Sequence, residues 1–226
     1  MSEAKAQTQT ETCPVGVDDC HWLAQLSKLK SENAELKQLV TTDTLTGLYN
    51  FRYFREMLKK EMEQTQRAGR PTGLIMIDLD HFKAINDEWG HEGGNQALKL
   101  AAGVFRQAVR LSDIVCRYGG EEFAIILPQT TLPTAVNVAE RVRQWLEQSM
   151  VEFEGQQFSI TASFGVGVFS RGQQMTAESF IDSVDQYLYQ AKQQGRNRVA
   201  HAEFSTSETA TSVTAEEKSA LFSEQR

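Results

Sequence analysis

The chain has 226 residues, a formal net charge of -7 and three cysteines. That length fits one medium domain with appendages. The acidic balance speaks against a nucleic-acid groove and an anionic membrane surface. No apolar run approaches the about 20 residues of a membrane span, and residues 1–12 lack an apolar signal core, so a cytoplasmic chain is expected. The odd cysteine count fits reduced thiols. Cys13, Cys20 and His21 fall short of the four ligands of a structural zinc site, so no zinc is expected there.

Residues 1–18 are rich in Thr, Gln, Glu and Ser and are expected to be disordered. From Trp22 the pattern changes. Trp22, Leu26, Leu29, Asn33, Leu36 and Val40 recur by fours and threes, a heptad seam with Lys28, Lys30, Glu32, Glu35 and Lys37 on the other faces. Asn33 on that seam costs stability but fixes register and a two-stranded state. A stalk helix over 19–42 is therefore expected to pair with a second copy through residues 22–42. A helix folded back on its own domain is the alternative, since about three heptads make a marginal coil. Thr42, Asp43 and Gly47 break the helix. Phe54 and Leu58 set the spacing of a second helix over 51–67, closed by Gly69, Arg70 and Pro71.

Residues 73–79 read as a central strand whose apolar run ends in Asp78, with Asp80 just beyond. A long helix is expected over 91–110, with Ala97, Leu98, Leu100, Ala101, Val104 and Phe105 inward. Then comes a strand, a Gly119-Gly120 turn and a strand: Ile114, Val115 and Cys116 lead in, and Phe123 to Leu127 lead out. Glu121 and Glu122 sit side by side at the mouth of this apolar hairpin, where like charges repel. A divalent cation offsets them most simply. Asp78, at the tip of a neighbouring strand, would join Glu121 in a site for Mg2+ bound together with substrate phosphates. Taken singly, Asp78 and Asp80 could cap a helix and the glutamates could be solvated turn residues; the combination points to the metal.

Pro133 opens a helix through about residue 150, with Ala135, Val138, Ala139, Val142 and Leu146 inward. Strands over 151–154 and 157–169 join through Gly155. A helix over 178–194 stops at Gly195, and a last strand covers 197–203. The tail, 204–226, is rich in Ser, Thr and Glu and is expected to be disordered. The order implies an α+β fold: a central, mostly antiparallel or mixed sheet flanked by helices and preceded by the stalk helix.

Gly119-Gly120-Glu121-Glu122-Phe123 resembles the signature of the GGDEF family, the diguanylate cyclases of bacterial signalling, in its GGEEF form. Asp43-Thr44-Leu45-Thr46-Gly47-Leu48-Tyr49-Asn50 resembles the motif that opens the family's domain. Asp78-Leu79-Asp80-His81-Phe82-Lys83, with Asn86, Asp87, Gly90 and His91, resembles its first strand and phosphate loop. Leu188-Tyr189-Gln190-Ala191-Lys192, with Gly195, Arg196 and Asn197, resembles its closing helix. The resemblance covers about residues 41 to 203 and implies a catalytic domain over 43–203, similar to the palm of nucleotidyl cyclases. It implies condensation of two GTP into cyclic di-GMP and two pyrophosphates, in a dimer whose GTP-loaded domains face each other.

The same resemblance assigns the parts. Asp78, the Leu79 carbonyl and Glu121 would hold two Mg2+ (or Mn2+) per active site, with Glu121 catalytic and Glu122 a further contact. His81, Phe82 and Lys83 would bind the β- and γ-phosphates through N–H groups and an ammonium. Lys192 and Arg196 would be a second phosphate set, although the residues alone also read as cations at a helix C-terminus. Gly119 and Gly120 let the backbone approach phosphates without a Cβ. Asn86 matches a guanine-reading asparagine. The second reader, usually an aspartate, falls on Asn95, whose amide accepts only through its oxygen. A guanine preference weaker by about 1–3 kcal/mol is expected, which leaves mixed dinucleotide products open. Arg110 and Asp113, with Arg141, match the family's RxxD site and imply inhibition by product. With no recognisable sensor before the short stalk, a separate regulatory protein or a membrane-proximal receptor is expected to grip residues 13–42 and set the dimer geometry. Two alternatives stand beside the cyclase: a cyclic di-GMP receptor using Arg110 and Asp113, and a coiled-coil scaffold.

Overall fold

The computed structural model describes residues 21–203, so the expectations for 1–18, 204–226, Cys13 and Cys20 fall outside the described residues. The sheet is organised around β1 (Thr72–Leu79), which is apolar on both faces: Leu74, Ile75, Met76 and Ile77 are each 2 % exposed or less. β1 pairs antiparallel with β3 (Glu122–Leu127) on one side and β6 (Ala162–Phe169) on the other. Outside β3 lies antiparallel β2 (Ile114–Arg117), and outside β6 lies parallel β7 (Val199–His201). The order is β2-β3-β1-β6-β7, a mixed sheet flanked by helices.

Side chains alternate across a strand, and that alternation decides which helices each residue meets. Ile75, Ile77, Phe123, Ile125, Phe164 and Val166 pack in one core with α3 (Phe82–Ala108) and α4 (Leu132–Glu147). Leu74, Met76, Ala124 and Ile126 pack in a second core with α2 (Phe51–Ala68) and α5 (Ala177–Gln193). By the same parity Asp78 and Glu122 belong to the α2 and α5 side.

Several boundaries differ from the sequence reading. The second long helix begins at Phe82, not residue 91, and ends at Ala108; it passes through Gly90 at φ 69, ψ 172, a kink that only glycine takes without strain. Three glycines at 90, 93 and 94 hide it from propensity. The helix expected over 133–150 is α4 over Leu132–Glu147. The strand expected over 157–169 is two: β5 (Gln156–Ser159) pairs with β4 (Met150–Phe153) in a separate hairpin, and β6 starts at Ala162. The break falls where the Asp80 N–H donates to the Thr161 carbonyl at 2.8 Å, turning the chain into the main sheet. The final strand keeps only three residues, because β6 offers β7 partners for Phe164, Gly165 and Val166 alone.

Ahead of the sheet, α1 (His21–Thr41) leaves Trp22, Leu26 and Leu29 at 76 %, 42 % and 57 % exposure. These seam residues are not covered by their own domain. No described helix is long and apolar enough to cross a membrane.

Candidate active site

The tip of β1 and the start of β3 lie side by side. The register sets Asp78 opposite Glu122, while the Glu121 carbonyl, one residue before β3, accepts from the Leu79 N–H at 3.2 Å. The ladder neighbour of Asp78 is thus Glu122, whereas the sequence reading sets Glu121 beside Asp78. Two like charges across a ladder repel. Burial, then Asp78, pushes the Glu122 carboxyl above its ordinary pKa, and Lys192 pulls the other way. The Lys192 ammonium, from the last turn of α5, lies 2.8 Å from Asp78 Oδ2. A cation therefore already sits where the carboxylates call for one. A Cβ on Gly119 would meet the Glu122 carboxylate and oblige that side chain to shift.

This donor set fits a hard divalent cation, with a limit. Among the described residues no group of three or more His, Cys, Asp or Glu is preassembled around one point. Two carboxylates and a backbone carbonyl suit Mg2+ held jointly with substrate phosphates, rather than in an all-protein cage.

Next to the carboxylates, the backbone turns at His81, φ 55, and α3 starts at Phe82. The first-turn N–H groups of Phe82 and Lys83 lack intrahelical acceptors by construction of a helix start, and Lys83 is exposed beside them. Asp80, by contrast, is only 5 % exposed and is committed to protein. Its Oδ1 accepts from Ser163 Oγ at 2.6 Å, and its Oδ2 from Thr161 Oγ1 at 2.8 Å and the Asn197 N–H at 3.0 Å. Nothing in the sequence signals that role, because its partners lie 81 to 117 residues away. Arg196, on the far side of the same junction, is exposed with φ 61.

The expected base-reading residues lie on α3 around its kink. The Asn86 side chain lies over Gly94, where a Cβ would strike its Oδ1, and Phe82 Cζ closes the same spot. Asn95 follows and is half-buried. The β4–β5 hairpin braces this elbow: Phe158 stacks on Trp89 at 4.6 Å between centroids and 16° between planes. A cavity of about 830 Å3 between α2 and α5, floored by Phe51, Met62, Phe169 and Ile181, is lined by none of these residues.

The two-glycine turn is moored from the N-terminal side. Arg117 donates to the Gly120 carbonyl at 3.2 and 2.7 Å and to both Asp43 oxygens at 3.1 Å. Tyr49 adds a bridge to Cys116, and Tyr118 meets Phe51 and Phe54 edge-on at 4.9 and 5.3 Å. Arg110 and Asp113 form a tight exposed turn: the Arg110 N–H donates to Asp113 Oδ2 at 2.9 Å. Arg141 is engaged at the end of α3, donating from Nε and Nη2 to the Ala108 carbonyl at 3.0 and 2.7 Å.

Comparison with known proteins gives a consistent picture. The family model described as "Diguanylate cyclase, GGDEF domain" matches residues 40–198. The diguanylate cyclase DgcP of Pseudomonas aeruginosa is 39 % identical over 163 residues, which is 72 % of this chain and 24 % of that protein. The chain spans between 24 % and 48 % of the length of the first curated relatives it matches. Among solved structures, the coiled coil and GGDEF domain of DgcB from Caulobacter crescentus, in complex with c-di-GMP, superposes with TM-score 0.75 at 29 % identity, covering 80 % of this chain and 95 % of that one. The diguanylate cyclase SiaD of Pseudomonas aeruginosa, in complex with its activator SiaC, gives TM-score 0.71 at 36 % identity, covering 80 % and 71 %.

Proposed function

Because the chain belongs to the GGDEF family of diguanylate cyclase domains, we propose that it condenses two GTP into cyclic di-GMP. In each of two steps a 3′-hydroxyl attacks an α-phosphate in line, a phosphodiester forms and pyrophosphate leaves. Such chemistry asks a protein for positioning and charge neutralisation more than for covalent work. The observation that carries the reading is the Asp78–Glu122 pair across the β1–β3 ladder, with the Lys192 ammonium 2.8 Å from Asp78.

Asp78, the Leu79 carbonyl and Glu121, with Glu122 beside them, would hold two Mg2+ or Mn2+. Bound there, the metals supply activation of the attacking hydroxyl and neutralisation of the leaving oxygen. Glu121 is the residue we assign to the reacting groups. The Phe82 and Lys83 N–H groups and the Lys83 ammonium bind the outer phosphates, and Lys192 and Arg196 approach from α5. Lys192 exchanges Asp78 for phosphate when substrate enters. Gly119 and Gly120 leave room for the nucleotide, and Asn86 and Asn95 read its base. An amide at Asn95 supports a relaxed guanine preference, with mixed dinucleotides as side products. Product inhibition would use Arg110, Asp113 and an Arg141 swung away from the Ala108 carbonyl.

Residues 43–203 form the catalytic unit in this reading and 19–42 the stalk, whose exposed seam supports a homodimer that brings two loaded domains together. The SiaD structure contains an activator; a separate regulatory protein acting on residues 13–42 is the corresponding proposal here. The test is incubation with Mg2+ and GTP and identification of the product by chromatography. Cyclic di-GMP from the wild-type chain and none from Glu121→Ala supports the cyclase. Tight binding of added cyclic di-GMP with no turnover would favour the receptor instead. An ATP and GTP mixture in the same assay reads the effect of Asn95.

A further inference from the structure

We infer that Asn197, locked by Arg143 and Glu147 of α4, is a positioning residue that sets Arg196 and the His81–Lys83 turn for a nucleoside triphosphate; this rests on the cyclase reading above. Five non-glycine residues have positive φ among those described, and three of them flank Asp80: His81 at 55°, Arg196 at 61° and Asn197 at 45°. Asn and His enter the left-handed region more readily than other side chains, but at Arg196 such backbone persists where the surroundings over-determine it. Gly195, φ 114, already ends α5, so two further left-handed residues are not needed for a stop.

Two sets of hydrogen bonds over-determine this junction. On the backbone side, the Asn197 N–H donates to Asp80 Oδ2, alongside the Thr161 hydroxyl, while the Ser163 hydroxyl donates to Oδ1. Neutral donors thus occupy both oxygens of a buried carboxylate. Asp80 is pinned to β6 and cannot turn toward metal or phosphate, and its neighbours Leu79 and His81 are pinned with it. On the side-chain side, Asn197 Nδ2 donates to Glu147 Oε1 at 2.7 Å, and its Oδ1 accepts from Arg143 Nη1 at 3.1 Å. The same Arg143 nitrogen donates to Glu147 Oε2 at 2.9 Å, and its Nε to Glu140 Oε2 at 2.9 Å. Arg143, Glu147 and Asn197 close a ring.

The placement gives the ring its meaning. α4 lies with α3 on one face of the sheet, and α5 lies on the other. The segment after α5 crosses between them, and Asn197 is its tie to α4. Arg196 therefore projects from a segment fixed at both ends: by Lys192 and the end of α5 before it, and by Asp80 and α4 after it. A cation held in place before the phosphate arrives loses less freedom on binding. That is a function a plain helix terminus would not need.

Asn197→Gly keeps left-handed backbone and the bond to Asp80 but removes the side chain; Arg143→Met opens the ring from α4. With GTP and Mg2+, each is expected to raise KM about tenfold with kcat within about twofold. Binding of a nonhydrolysable GTP analogue weakens by the same factor. The double variant is no worse than the poorer single one, since both open one ring. Asn197→Asp faces a carboxylate to Glu147 and is also poor, and adding Glu147→Gln restores a donor and returns KM toward the wild-type value. A lowered melting temperature with unchanged KM and analogue affinity, or single effects that add, overturns the inference while wild-type turnover keeps the cyclase standing. Absence of turnover and of analogue binding in the wild-type chain overturns both.

Discussion

Asp43 is under opposing pulls. Burial pushes its carboxyl upward, yet the Thr46 hydroxyl and amide and the Arg117 guanidinium outweigh it and hold the group below its usual range. An acid with a lowered folded-state pKa contributes stability that is whole above the unfolded value and is lost as pH falls through the folded one. Asp43→Asn should therefore cost about 1–2 kcal/mol near pH 7, and the gap should close below about pH 4. Urea midpoints at the two pH values check this; a gap that stays constant would show that the charge is irrelevant. Cys116 is buried in the second core. Burial alone pushes its thiol up to about 12, so almost none is thiolate near pH 8. Mass spectrometry after alkylation of the native protein should find Cys116 unmodified, and modified only once urea unfolds the chain. Lys192 belongs here too. Without its ammonium the Asp78–Glu122 pair stands uncompensated, and Lys192→Met should lower stability by about 1 kcal/mol, a small figure because the lysine is partly solvated.

At the scale of elements, the contact that seats α5 is a missing side chain. A Cβ on Gly165 in β6 would run into the Leu188 amide nitrogen and the Val184 carbonyl of α5, backbone atoms that cannot rotate aside. Gly165→Ala should push α5 off the sheet, cost about 2–3 kcal/mol, and move Lys192 away from Asp78, so that activity falls more than stability alone explains. An activity loss no larger than the unfolded fraction would refute the link between α5 seating and the site. What could be read from the chain divides along similar lines. β1 was legible as a continuous apolar run, the hairpin by its Gly-Gly turn, and the inward faces of α2 and α4 by their 3.6-residue period. The carboxylates at the tip of β1 and start of β3 were legible as a pair of motifs. Their register was not: whether Glu121 or Glu122 opposes Asp78 depends on how β3 slides on β1, and adjacent residues carry the same charge. The split between β5 and β6 was hidden for another reason. Its cause is Asp80, which gathers Thr161, Ser163 and Asn197 from far along the chain.

For the whole molecule, the question is what α1 is for. Trp22, Leu26 and Leu29 sit at heptad spacing on an exposed face, and leaving such side chains in water is costly unless something covers them. A second copy would cover them, and the proposed chemistry needs a second copy: each active site holds one GTP, and the product joins two. Linking the halves turns their encounter into an intramolecular event at millimolar effective concentration. Removing residues 1–40 keeps Thr41, whose carbonyl accepts from Asn50 at 2.8 Å, and leaves the sheet with its helices intact. The shortened chain should then equal the full one at high protein concentration. On dilution to about 1 μM its specific activity should fall by about 100-fold, while the full chain holds until its own dimer dissociates. Sedimentation of both species fixes the oligomeric state independently of turnover. Equal activities at every dilution would mean that the catalytic domains find each other unaided, and the seam would then have to be read as a surface for a different protein.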